Sequence, residues 1–214
     1  MIICPDLKLG FIHVPKTGGS SISAALTPHA QNAHGRKIKP GNTGWLSDWN
    51  HGSPHSYSCI QMREFDGVCS SRDGWTFACF VRSPWTLMES LYVYSLIPGE
   101  TFQEYCRRWR DDPKSFWSNG YSRLPTHYIK GFGFGQWVAD CDFVGRFERI
   151  EADYAAMMAT VGVDDPRPLG HFNTRANSGF STVVHHTSET IDLIGEWWRD
   201  DIDRFGYQPP EVTA

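Results

Sequence analysis

The apolar positions of the chain fall in short runs that alternate with helical patterns. The first run, from Leu9 to Val14, is compatible with a β-strand and ends at Pro15. The segment from Ser20 to Leu26 then has the residues to start and continue a helix. The order strand, turn, helix is therefore predicted for this part of the chain.

The turn between this strand and helix combines a cation, a pair of glycines and several hydroxyls, namely Lys16, Thr17, Gly18, Gly19, Ser20 and Ser21. The two glycines allow positive φ angles, so several backbone N–H groups can converge on an anion at the positive end of the helix. Lys16 adds a full charge, and the hydroxyls can donate hydrogen bonds. The pattern predicts a phosphate-binding loop, and the alternative is an ordinary turn with a surface lysine.

A second apolar run, from Trp75 to Val81, has the continuous hydrophobicity of a buried strand and stops at Arg82. Pro84 suits the first turn of a helix, and Leu87, Leu91 and Tyr94 give that helix one buried face. Arg82 is therefore predicted at the carboxyl end of a strand, where open α/β sheets bind ligands, and Ser90 two turns along the helix. Both could reach one phosphate, or Arg82 could simply form a salt bridge at the helix start.

The order of the charged and small residues distinguishes between kinds of phosphate loop. The Walker A pattern of ATP-binding loops is absent, because Lys16 precedes the glycines. The order Pro-Lys-Thr-Gly-Gly-Ser-Ser instead resembles the 5′-phosphosulfate loop of sulfotransferases that use 3′-phosphoadenosine-5′-phosphosulfate (PAPS). The order Phe-Val-Arg-Ser-Pro, with a serine eight residues after Arg82, resembles the 3′-phosphate motif of the same family.

Later segments extend this resemblance over most of the chain. Asp142 to Ile150 resembles the family's third strand and the turn that leads into a helix from Glu151 to Val161. Gly170 to Arg175 resembles a loop that closes over the nucleotide, and Ile191 to Tyr207 resembles the amphipathic C-terminal helix. Among family members the chain is most similar to the branch of carbohydrate O-sulfotransferases, which includes the heparan 2-O type and soluble bacterial relatives.

The resemblance implies a fold, a reaction and a set of roles. The expected fold is a P-loop-like three-layer α/β sandwich, with a central mostly parallel sheet flanked by helices. The expected reaction moves a sulfuryl group from PAPS to an acceptor hydroxyl, leaves 3′-phosphoadenosine 5′-phosphate (PAP) and needs no metal. Residues 16–21 would hold the 5′-phosphate, with Lys16 also catalytic. Arg82 and Ser90 would hold the 3′-phosphate, and Arg175 would add a cation.

A histidine is the expected base, and two candidates lie where the family carries it. Ser53-Pro54 has the character of a helix start, which puts His51 just before the helix and His55 on it. His51 is preferred, His55 is the alternative, and either could be a loop residue without a role. The nine histidines and six cysteines show no metal-ligand spacing.

Composition is consistent with this assignment and limits the partners. A chain of 214 residues, 40% of them hydrophobic, can form a single domain spanning residues 1–214. The net charge of −4 implies no broad polyanion-binding surface, so no nucleic acid is expected. The resemblance implies a hydroxyl-bearing acceptor, either a glycan or a small molecule.

Localisation and redox state follow from what the sequence lacks. The segment Met1 to Gly10 shows no signal-peptide pattern, and no long apolar run occurs, so a soluble cytoplasmic enzyme is expected. The cysteines are then expected as free thiols, with a disulfide between Cys59 and Cys69 as the alternative. Two other functions stay open: an ATP-dependent P-loop-type kinase, and a catalytically silent nucleotide-binding module.

Overall fold

The computed structural model describes residues 1–30, 65–66, 69, 71–94, 98–112, 133–170 and 184–212, which form an α/β fold. Its strands are β1 (Ile2–Cys4), β2 (Leu9–Phe11), β3 (Thr76–Val81) and β4 (Phe143–Arg146). Its helices are α1 (Gly19–Leu26), α2 (Pro84–Tyr94), α3 (Phe102–Asp111), α4 (Gly135–Val138), α5 (Ile150–Thr160), α6 (Ser188–Trp197) and α7 (Arg199–Phe205). A 3-10 turn, Phe147–Arg149, joins β4 to α5.

The strands form a mostly parallel sheet, as predicted. Within the described part of the chain the sheet has four strands in the order β1-β2-β3-β4. The first pair is an antiparallel hairpin, whereas β2, β3 and β4 run parallel to one another. Parallel neighbours need crossover connections, and these carry α1 before β3 and the helices that precede β4. The three parallel strands therefore present their carboxyl ends at one edge of the sheet.

The chain divides into two compact units, and the first holds the sheet. It comprises residues 1–81 and 136–173. Helices α1 and α5 supply Ile22, Leu26 and Met157 to a core with the strand residues Leu9, Phe11 and Phe80, all fully or almost fully buried. Every residue of β3 except Thr76 is buried. The continuous apolar run of this strand in the sequence is thus explained by burial on both faces.

The second unit is helical and comprises residues 82–135 and 174–214. Helices α3 and α6 each begin with a capping box, Thr101 with Glu104 and Thr187 with Thr190. Two parallel hydrogen bonds of 2.6 Å join Arg107 of α3 to Glu189 of α6. These bonds, together with the apolar contacts of α3, hold the two helices side by side.

Several element boundaries differ from the sequence-based expectations. Strand β2 ends at Phe11 rather than Val14, because the chain leaves the sheet ahead of the turn. The helix predicted from Ile191 to Tyr207 is two helices, since Trp198 has φ −107° and ψ 21° and ends α6 before α7 begins. Hydrogen bonds continue through this break, because Trp198 N–H donates to Ile194 O and Ile202 N–H donates to Trp198 O.

The described cysteines are free thiols. Cys69 is among them, so the alternative disulfide with Cys59 is not formed, and Cys59 itself lies outside the described residues. Burial raises the pKa of the Cys106 thiol to about 12, which keeps it protonated and unreactive at neutral pH. Of the helices that the structure describes, none has the length and apolar character required to cross a bilayer.

Asp201 yields a prediction about stability. This buried carboxylate on α7 accepts a hydrogen bond of 2.8 Å from the Phe134 N–H. Burial raises its pKa from 3.8 to about 6, although the Phe134 N–H and Arg204 oppose the shift. The folded protein therefore favours the neutral acid, and stability falls as pH rises from 4 through 6, by a penalty on the order of 3 kcal/mol above that range.

We expect Asp201→Asn to unfold at a higher temperature than the wild type at pH 7.5, because the amide carries no charge and can still accept the Phe134 N–H. This difference should shrink as the pH is lowered to 4. Thermal unfolding at several pH values measures it. Asp203→Asn, an exposed change on the same helix, is the matched control. A pH-independent difference between Asp201→Asn and the wild type would contradict the assignment.

Candidate functional site

The loop after β2 leaves the sheet through two left-handed backbone conformations. The ladder continues one residue beyond β2, where Ile12 N–H donates to Ala78 O at 2.8 Å. Lys16 then has φ 62° and Gly18 has φ 83°. Such an angle is uncommon for a lysine, and non-glycine residues held in this region concentrate at ligand-binding positions. Gly18 is also the residue that caps α1, and the N–H of Ser21 donates to its carbonyl at 3.0 Å.

The loop has an inner and an outer side. Thr17 and Gly19 are buried, whereas Lys16, Ser20 and Ser21 are partly exposed. Lys16, Ser20 and Ser21 are therefore the residues of the outer side, at the positive end of α1. The first turn of α1 contains no acidic residue, so no carboxylate there opposes an anion.

Thr17 differs in role from the expectation. Its side chain is fully buried, and its hydroxyl donates to the Val14 carbonyl at 3.0 Å. The hydroxyl hydrogen is therefore engaged inside the loop and is not available for a phosphate. Thr17 stabilises the turn, and only its backbone N–H is left for the role predicted from the sequence.

Gly19 is required by close packing against a buried histidine. A Cβ on Gly19 would lie 2.5 Å from both Cδ2 and Nε2 of His13. The His13 side chain is buried, and the centre of its ring is 6.4 Å from that of Phe11. The imidazole therefore supports the first turn of α1 from below, in a space that only a glycine leaves open.

Gly18 joins the loop to the connection between β4 and α5. A Cβ there would collide with Cδ1 of Ile150 and lie 3.1 Å from the Phe147 ring. Its left-handed φ independently favours glycine. The loop after β2 is thus fixed by contacts with its own strand, with α1 and with the segment after β4.

The backbone of the loop can bind an anion. A left-handed residue followed by a helical one, as at Gly18 and Gly19, turns successive N–H groups toward a common point. The first N–H groups of a helix also lack intrahelical acceptors. With Lys16, Ser20 and Ser21 on the same outer side, the donor set is chemically suited to a phosphate or sulfate.

The second predicted pair, Arg82 and Ser90, belongs to the helical unit. Arg82 directly follows β3, and α2 begins at Pro84 as predicted. The Arg82 Nε donates to Thr86 Oγ1 at 3.0 Å, and Ser90 is partly exposed one helical turn after Thr86. Leu87 and Leu91 are fully buried, which confirms two positions of the predicted apolar face.

Three predicted site residues, His51, His55 and Arg175, lie outside the described residues, so their roles stay predictions. Sequence reasoning did not single out His13 or Thr86. In the first predicted strand, side chains alternate between the two faces, so Phe11 and His13 share a face. This alternation could have predicted that His13 is buried. A hydroxyl midway between Arg82 and Ser90 was the signal for Thr86.

Comparison with known proteins adds one similarity. A protein of Archaeoglobus fulgidus, described as uncharacterized, is 25% identical to this chain over 112 residues, which are 52% of this chain and 88% of that protein. No protein-family model matches the chain. No solved structure matches it either.

The contact between Gly19 and His13 gives a prediction about the loop. Gly19→Ala puts a methyl group against the buried imidazole, so we expect a loss of about 1–3 kcal/mol in the free energy of unfolding, the usual effect of overpacking. Denaturant unfolding measures the loss. Gly19→Ala should cost less when it is made in a His13→Ala background, because the obstructing ring is absent there.

Gly135→Ala is the matched control for this prediction. An added Cβ at Gly135, the first residue of α4, meets nothing within 4 Å. This variant should be as stable as the wild type or slightly more stable. If Gly19→Ala were equally well tolerated, the close packing described here would be wrong.

Proposed function

We propose that this protein is a PAPS-dependent sulfotransferase that transfers a sulfuryl group to an acceptor hydroxyl, on a carbohydrate or another glycoconjugate. The observation that carries the proposal is the outer side of the loop after β2, where Lys16, Ser20 and Ser21 accompany the first N–H groups of α1. The order of residues in this loop supports PAPS rather than ATP as the donor. The P-loop-like three-layer architecture is part of the proposal.

The loop would hold the 5′-phosphosulfate end of the donor. The backbone N–H groups of residues 17–20 and the hydroxyls of Ser20 and Ser21 are the proposed ligands. The N–H of Ser21 is not included in this set, because it donates to the Gly18 carbonyl. Lys16 supplies the only full positive charge among residues 9–26.

Arg82 and Ser90 would hold the 3′-phosphate, and Arg175 would add a cation. An arginine is suited to this task because its planar guanidinium can donate two parallel hydrogen bonds to a phosphate. The 3′-phosphate is the group that separates PAPS from ATP-like donors. These residues would therefore select the donor, while the loop would contact the reacting end.

PAPS supplies a sulfuryl group, whose bond to the 5′-phosphate breaks as the acceptor oxygen forms a new bond to sulfur. His51, or alternatively His55, would take the proton of the acceptor hydroxyl, since imidazole has a pKa near neutrality. Lys16 would stabilise the negative charge that develops on the departing phosphate. One preorganised cation of this kind is worth about 3 kcal/mol of barrier lowering.

The acceptor and cellular location are part of the same proposal. The acceptor is a hydroxyl on a glycan or a small molecule, and no nucleic acid is involved, because the chain has a net charge of −4. The enzyme would work in the cytoplasm without a resident metal ion.

Two other functions make different predictions about ligands. A P-loop-type kinase would be stabilised against heat by ATP with magnesium, and a silent nucleotide-binding module would bind PAP without any turnover of PAPS. A thermal-shift comparison of PAP with ATP and magnesium separates the first from our proposal. Assays of PAPS turnover over a panel of acceptors separate the second. Stabilisation by ATP with magnesium but not by PAP would contradict a sulfotransferase.

Lys16→Ala tests the catalytic role of the loop. We expect sulfation to fall by about 100-fold or more, because the charge on the departing phosphate loses its compensating cation. The melting temperature should change little, since the Lys16 side chain is partly exposed. Radiolabelled sulfate transfer from PAPS measures the rate.

Lys8→Ala is the matched control for Lys16→Ala. Lys8 is also a lysine with a left-handed backbone, with φ 48°, and its side chain is exposed. The Lys8 variant should keep the wild-type rate. Because both substitutions replace a lysine that has a left-handed backbone, a loss of rate at position 16 alone is due to the ammonium group and not to a change in backbone strain. Near-normal sulfation by Lys16→Ala would remove the proposed role.

Arg82→Ala tests the donor specificity. We expect PAP to bind about 10-fold or more weakly, because a hydrogen-bonded charge pair with phosphate is lost. Calorimetric titration measures the affinity. Unchanged affinity for PAP would exclude Arg82 as a ligand of the 3′-phosphate.

A further inference from the structure

Thr86 lies between Arg82 and Ser90, the two predicted ligands of the 3′-phosphate, in the sequence, and it forms a hydrogen bond with Arg82. Its hydroxyl donates to the Ser83 carbonyl at 3.2 Å and accepts from Arg82 Nε at 3.0 Å. A hydroxyl has one hydrogen and two lone pairs, so both bonds can form at the same time. The bond to Ser83 fixes the hydroxyl, and the fixed hydroxyl then orients the guanidinium.

Thr86, which holds the guanidinium, lies one helical turn before Ser90 on α2. Thr86 and Ser90 are four residues apart within one helix, so they lie on the same face with Cβ atoms about 5–6 Å apart. Because Arg82 Nε is bonded to Thr86 Oγ1, the guanidinium is anchored to the helix face that also carries the partly exposed Ser90. A phosphate that accepts charge-assisted bonds of about 2.7–2.9 Å can span a separation of this size.

An anchored arginine binds an anion better than an unanchored one. Arginine side chains have large rotamer freedom, and this freedom is lost when a ligand fixes the guanidinium. The Thr86 hydroxyl fixes the Nε side of the guanidinium before any ligand arrives. Binding then costs less ordering entropy, and the direction of the guanidinium is set in advance.

We propose that Thr86 is the positioning residue that gives this protein its preference for a nucleotide with a 3′-phosphate. Thr86 does not touch the ligand and acts through Arg82. The inference rests on the proposed function, in which Arg82 and Ser90 hold the 3′-phosphate of PAPS. It adds that the discrimination between nucleotides with and without this phosphate depends on a neutral hydroxyl within α2.

The experiment compares two ligands that differ only in the 3′-phosphate, PAP and adenosine 5′-phosphate (AMP). Calorimetric titrations of the full chain give the dissociation constants of both. Thr86→Val keeps the shape of the side chain and removes the hydroxyl. We expect it to bind PAP about 5- to 10-fold more weakly, consistent with the loss of one hydrogen bond, and to bind AMP with less than about 2-fold change. Thr86→Ser keeps the hydroxyl and should retain most of the preference.

A double variant separates positioning from a general structural role. If Thr86 acts through Arg82, then Arg82→Ala with Thr86→Val should bind PAP no more weakly than Arg82→Ala alone. A purely structural effect would add to the loss and would weaken AMP binding equally. Should Thr86→Val not fold, Thr86→Ala provides the same comparison.

Thr160→Val is the matched control, because Thr160 Oγ1 of α5 also donates to a carbonyl three residues earlier, that of Met157. It should leave both affinities unchanged. If Thr86→Val keeps the wild-type preference for PAP while Arg82→Ala loses it, the role of Thr86 is overturned and that of Arg82 is not. A wild-type protein that binds PAP no better than AMP would overturn the proposed donor, and this inference with it.

Discussion

The parallel pairing of β3 with β2 on one side and β4 on the other is the constraint on which the site depends. Thr76 to Ala78 pair with β2, Ala78 to Val81 pair with β4, and Asp142 Oδ2 accepts the Phe77 N–H at 2.8 Å at the start of the strand. This register makes the strands end at one edge, so the loop after β2 and the turn after β4 come close together. The contact of Gly18 with Phe147 and Ile150 is the consequence.

The loop after β2 is held in its conformation from within the protein. His13 lies against Gly19, Thr17 bonds to Val14, and Ile150 lies against Gly18. These contacts are all made by the protein's own residues, and they hold the backbone on the helix side of Lys16. A site that is rigid before binding loses little entropy on binding, and its dipoles need not reorganise during a reaction. Packing against His13 and Ile150 already accounts for glycine at positions 19 and 18. The evidence for an anion therefore comes from the residues on the outer side of the loop.

Much of the fold could be predicted from the sequence. The strand before Arg82 and the helix start at Pro84 were predicted correctly, because a local apolar run and the fixed φ of proline decide them. The break at Trp198 was missed, since the apolar spacing continues through it and the hydrogen bonds are kept. The direction of the Thr17 hydroxyl was also missed, because a threonine in a turn can donate outward or to a carbonyl three residues earlier with the same sequence.

The sequence by itself determined the order of elements, the residue types of the loop after β2 and the spacing of Arg82 and Ser90, because these follow from local periodicity and from the residues themselves. Only the tertiary structure decided which side chains of the loop face inward, that His13 fills the space beneath Gly19 and that Thr86 holds Arg82. The physical reason is that burial and hydrogen-bond partners are set by neighbours. Some of these neighbours come from distant parts of the chain, as Ile150 does for Gly18, and others, such as His13 for Gly19, are brought into contact by the turn itself.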